Sequence, residues 1–84
     1  MRHVTEAGLD ELDGVLSELR GVDGLKEKSR GVFYRGSRAF LHFHEDPHGL
    51  YADVRLDADF ERMRVTTKAE RKRLLSLVRA VARR

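Results

Sequence analysis

The chain has no cysteine. This excludes a disulfide framework and any zinc site built on thiolates, and it removes one class of catalytic nucleophile. A reducing compartment fits, so the expected location is cytoplasmic. No apolar run approaches the ~20 residues of a membrane span, and the start of the chain lacks the apolar core of a secretion signal. No membrane partner is therefore expected. Internal repeats and low-complexity tracts are also missing. Ser17, Ser29, Ser37 and Ser76 sit in no nucleophile-elbow motif, and there is no glycine-rich phosphate loop. The expectation is a protein that is not an enzyme and carries no cofactor. The one proline, Pro47, falls in a turn.

The organising stretch is Arg38–Leu56, RAFLHFHEDPHGLYADVRL. Ala39, Leu41 and Phe43 share one side of an alternating run, with Phe40, His42 and His44 on the other. After the turn, Leu50, Ala52, Val54 and Leu56 alternate with Tyr51, Asp53 and Arg55. Period-two alternation marks half-buried strands. Residues opposite one another on an antiparallel pair share a face, so odd core positions must meet even ones. Pairing Asp46 with Gly49 achieves this, placing Leu41 opposite Val54, Phe43 opposite Ala52, His42 opposite Asp53 and His44 opposite Tyr51. The commoner hairpin for Asp-Pro-His-Gly would pair Asp46 with Leu50 and separate the apolar faces.

Thr5 predicts a helix N-cap, and Leu9, Leu12, Val15, Leu16 and Leu19 form an apolar stripe that closes at Arg20-Gly21. Gly8 and Gly14 each weaken that helix by about 1 kcal/mol relative to Ala. Val22–Lys28 is open, with Leu25–Lys28 able to form a short edge strand, and Val32–Arg35 reads as a strand turning through Gly36-Ser37. Pairing Arg35 with Arg38 puts Tyr34 opposite Ala39, Phe33 opposite Phe40 and Val32 opposite Leu41. Val32 and Tyr34 would then join the dry face, with Phe33 and Phe40 outside. Phe60–Thr66 is open between a last strand and a helical turn. Thr67-Lys68-Ala69-Glu70 is a capping box, and a helix should run from Lys68 almost to the end, with Leu74, Leu75, Leu77, Val78, Val81 and Ala82 inward.

The expected fold is α+β in two layers: helix, three or four antiparallel strands, helix, with both helices on one face of the sheet. Residues 1–84 form a single domain, and a chain this short buries only roughly 60–65% of its unfolded surface.

Gly21-Val22 after the first helix, the aromatic-turn-aromatic stretch Val32–Phe43, the apolar Gly49–Leu56 strand and the Leu-rich last helix together resemble the MmcQ/YjbR family. The similarity spans roughly residues 19–82. It implies a frataxin-like α/β fold and DNA binding, the role usually proposed for those small proteins. The segment expected between the third strand and the last is missing here, with only Asp57–Arg64 in its place, and no functional residue is carried across.

Charge is unevenly spread. Residues 1–30 hold five Lys/Arg against seven Asp/Glu, whereas residues 68–84 hold seven against one. The basic end is where an anionic partner would dock. On the last helix Lys72, Arg79 and Arg83 share a narrow sector, with Lys68 beside it and Arg73 further round. This face predicts weak, salt-sensitive binding of nucleic acid. The plainer reading is a solvated face whose cations complement the helix C-terminus.

The alternative surface is the outer sheet face: Phe33, Phe40, His42, His44, Tyr51 and Asp53. Uncovered aromatics there would mark a homodimer or small-ligand surface. His42 and His44 project together with Asp53 nearby, a donor set suited to a divalent metal. The plainer reading is an exposed face with a His–Asp hydrogen bond.

Overall fold

In the computed structural model, which describes residues 1–84, six strands and three helices follow the order β1 (Arg2–His3), α1 (Glu6–Glu11), α2 (Asp13–Arg20), β2 (Leu25–Ser29), β3 (Val32–Arg35), β4 (Arg38–Asp46), β5 (Gly49–Arg55), β6 (Phe60–Arg64) and α3 (Lys68–Ala82). The antiparallel sheet runs β2-β3-β4-β5-β6, and β1 pairs with the far end of β4. Both helical layers pack on one face, around a core of Leu9, Leu12, Leu16 and Leu19 against Leu41, Phe43, Ala52 and Val54, closed by Leu74, Val78 and Val81. The α+β, two-layer expectation holds, with more strands than three or four. No helix is long and apolar enough to cross a membrane.

Face parity sets the central hairpin. Leu41 meets Val54, His42 meets Asp53, Phe43 meets Ala52, His44 meets Tyr51 and Asp46 meets Gly49. Pro47 and His48 form the loop without positive φ, so the turn is not one of the types that match strand twist. Two contacts compensate. The His48 N–H donates to Asp46 Oδ1 at 2.7 Å. Gly49, at φ 144°, lets Thr66 close on β5, where Thr66 Oγ1 accepts from the Leu50 N–H at 2.9 Å. The other hairpin turns through Gly36 at φ 63°, with no positive φ at Ser37, as a type II′ turn requires.

The β3–β4 pairing departs from the expectation. Arg35 faces Arg38 and Tyr34 faces Ala39, but Phe33 then faces Leu41. Phe40 is the extra residue of a β-bulge, and the bulge reverses parity along β3. Phe33 and Phe40 therefore turn inward, 1% and 2% exposed, while Val32 and Tyr34 are only half-buried. A straight ladder would leave two phenylalanines in water to shelter a valine and a tyrosine. Burying a Phe side chain contributes about 1.5–3 kcal/mol, so the exchange favours the bulge. The Ala39 carbonyl beside the bulge accepts from Arg55 Nε at 3.0 Å.

Three further features are local. The first helix is interrupted at Leu12, at φ −86° and ψ 3°, between the two helix-weakening glycines. Phe60–Arg64 is a strand, registered from Arg55↔Phe60 to Tyr51↔Arg64. β1 is too short for any periodicity to reveal. The capping box at Thr67 and Glu70 forms as expected. Arg71 fastens α3 to the chain before it, donating to the Val65 carbonyl at 2.8 Å and the Thr66 carbonyl at 3.1 Å.

Candidate ligand and metal face

With all three helices on one side, the other face of the sheet carries no covering element. Alternation along β4 and β5 projects His42, His44, Tyr51 and Asp53 onto it. β6 adds Arg62 opposite Asp53, and β1 adds His3 opposite His44. Phe33 and Phe40 do not belong to this face. The bulge places both in the core, so the aromatic patch expected from strict alternation does not exist. Phe60, 37% exposed, joins Tyr51 here instead.

The polar cluster is tightly built. Arg62 forks onto Asp53, Nε to Oδ1 and Nη2 to Oδ2, both at 2.8 Å. His44 Nε2 lies 3.1 Å from Asp53 Oδ2. The Asp53 contact thus comes from His44, diagonal in the register, and not from His42 directly opposite. The His42 and His44 rings meet edge-on at 4.9 Å, His3 stacks on His44 at 5.3 Å, and His42 packs on Phe60 at 5.1 Å. The Arg55 guanidinium lies 4.3 Å over the Phe60 ring, a cation–π contact that closes the row.

Electrostatics follow from these contacts. The forked hydrogen bonds from Arg62 hold the Asp53 carboxyl below its usual range, against burial, which acts upward. Burial pushes His42 below the ordinary histidine value, and the nearby His44 pushes the same way. His42 is thus neutral at pH 7, the form that binds metals. Its Nδ1 is buried and has no hydrogen-bond partner. Buried polar nitrogens are nearly always paired, so this one identifies a place where a ligand or water would be gained.

One donor atom each from His42, His44 and Asp53 falls within a span of 4.8 Å. Ligands 2.0–2.1 Å from one tetrahedral ion lie roughly 3.3 Å apart. The widest pair must therefore approach by about 1–1.5 Å, within reach of side-chain rotation on a fixed backbone. Asp53 already has its orienting partner in Arg62, as metal-bound carboxylates generally do. His3 and Arg62 escaped sequence reasoning. β1 is two residues long, and the Arg62 register depends on a strand that the pattern left undecided.

The basic helix is less free than its sequence implies. Arg79 Nη2 donates to Glu18 of α2 at 2.8 Å, so part of the stripe is neutralised by the acidic first helices. Lys68, Lys72, Arg73 and Arg83 are exposed, and none has an acidic partner within ion-pair distance. Arg73 lies on the flank towards β6, with Arg62 and Arg64; Lys68 and Lys72 line the opposite groove, with Glu11 and Glu18 across it.

No protein-family model matches the chain, and neither does any curated protein or solved structure.

Proposed function

We propose that the protein is a small non-enzymatic binding module whose uncovered sheet face takes a divalent transition-metal ion, with His42, His44 and Asp53 as ligands. One observation carries the reading: three donors of the right chemistry converge within 4.8 Å beside a buried, unpartnered His42 Nδ1. Two imidazoles and a carboxylate suit Zn²⁺ or Ni²⁺. His3, stacked on His44, is the nearest candidate for a fourth ligand. The test is a thermal melt with added Zn²⁺ or Ni²⁺. At a hundredfold excess over Kd, binding adds about 2.7 kcal/mol, which for a domain of this size raises Tm by about 10–20 °C. A His42→Ala, His44→Ala double variant should lose the shift. An unresponsive wild type, or a shift that survives in the variant, overturns the proposal.

A second reading, weak nucleic-acid binding along α3, is favoured by the unpaired cations Lys68, Lys72, Arg73 and Arg83 and by the MmcQ/YjbR resemblance. It expects affinity that falls steeply with salt and is lost when Lys72, Arg79 and Arg83 become Glu. Unchanged binding in that variant removes it. A homodimer through the outer face, also expected from the sequence, would rest on Tyr51 and Phe60, since Phe33 and Phe40 lie in the core.

A further inference from the structure

The β3–β4 turn sets two arginines directly opposite each other. Arg35 pairs with Arg38, and both side chains lie on the helix side of the sheet, beyond the end of α3. Like charges facing across a hairpin are destabilising, and neither guanidinium has an acidic partner within ion-pair distance. Arg55 and Arg84 border the same place. The four arginines bound a cavity of about 400 Å³ at the end of the sheet, where Asp57 is the one carboxylate.

Two of the four are held in position. Arg55 donates to the Ala39 carbonyl at 3.0 Å and to the Ala58 carbonyl at 2.9 Å. Arg84 donates to the Leu56 carbonyl at 3.3 Å. These bonds use the backbone as acceptor, and no carboxylate lies within ion-pair distance of either guanidinium. Arg35 and Arg38 are free to close on a ligand. The C-terminus of α3 brings partial negative charge to the rim, and Arg83 and Arg84 offset it. A planar, forked donor suits phosphate oxygens better than a single ammonium does, and every cation in this cavity is arginine. The volume falls in the range of small-molecule sites.

We propose that this cavity binds the phosphate group of a small phosphorylated ligand, with Arg35 and Arg38 as the closing pair on a rim fixed by Arg55 and Arg84. It meets the histidine face only at Arg55, which also lies over Phe60, and it does not depend on how that face is read.

Isothermal titration with inorganic pyrophosphate tests it, with a single-stranded oligodeoxynucleotide as a parallel arm. The expected result is saturable one-to-one binding of pyrophosphate, weakened about tenfold or more by Arg35→Gln with Arg38→Gln and unchanged by Lys26→Gln on the exposed edge strand. Because the double variant removes a like-charge pair, its Tm without ligand should equal or exceed that of wild type. Failure of pyrophosphate to bind, equal affinity in the double variant, equal weakening by Lys26→Gln, or binding confined to the oligonucleotide would each overturn the proposal.

Discussion

Replacing Phe40 by alanine probes the bulge that decides which side chains reach the outer face. Phe40 is 2% exposed and sits in the core cluster. Large-to-small changes at such a position cost about 3–5 kcal/mol, counting lost transfer energy and the cavity left behind. A domain of 84 residues has about 4–13 kcal/mol of stability in total, so the variant should be folded only marginally. With a urea slope near 1 kcal/mol/M for so small a protein, the midpoint should fall by about 3 M or more. Tyr34→Ala is the control. Tyr34 is half-buried on the outer face, where Lys28 Nζ lies 5.1 Å from its ring centroid, and its loss should cost about 1 kcal/mol or less. In the unbulged ladder the ranking reverses, with Tyr34 in the core and Phe40 in water. A Phe40→Ala loss below about 1 kcal/mol together with a larger loss for Tyr34→Ala would refute the register, and with it the composition of the outer face.

Two further outcomes follow from local contacts. Thr67→Ala removes the side-chain half of the capping box and should destabilise the protein by about 1 kcal/mol, read as a lower urea midpoint at unchanged slope. Glu27, Glu45 and Glu70 all titrate below the usual glutamate range: Glu27 through its hydrogen bonds from Arg20, Glu45 and Glu70 through backbone N–H donors. A carboxylate whose pKa is lower folded than unfolded stabilises fully above its unfolded value. That contribution is lost as pH falls through the folded value. Stability should therefore decline below about pH 4.3, and Glu27→Gln should make the acid limb of a denaturation series shallower. An unaltered acid limb in that variant would contradict the assigned contact.

Much of this fold is legible in the chain because parity is a strict constraint. Five apolar side chains between Leu41 and Val54 agree on one face, and a slip of one residue would expose them all, so the β4–β5 register followed even against the turn preference of Asp-Pro-His-Gly. The capping box was equally readable, and of the six inward positions expected on α3 Leu74, Val78 and Val81 are buried, while Leu75, Leu77 and Ala82 are only half-buried. The bulge at Phe40 was not, since no glycine marks it and its driving force is the joint burial of Phe33 and Phe40, a tertiary quantity. The histidine pair and Asp53 were visible in the alternation, but the residues that flank them were not. Arg62 and His3 arrive from strands whose pairing is fixed by packing rather than pattern. Likewise, the sequence shows Arg79 as one of a cationic row, and only the approach of α2 to α3 reveals that Glu18 neutralises it.

The proposed metal face is tested most directly by anomalous diffraction from a crystal soaked in Zn²⁺. One strong peak is expected, about 2.0–2.2 Å from a nitrogen of His42, a nitrogen of His44 and an oxygen of Asp53. Peaks found only at the exposed turn residue His48, or no ordered zinc at all, would contradict the account.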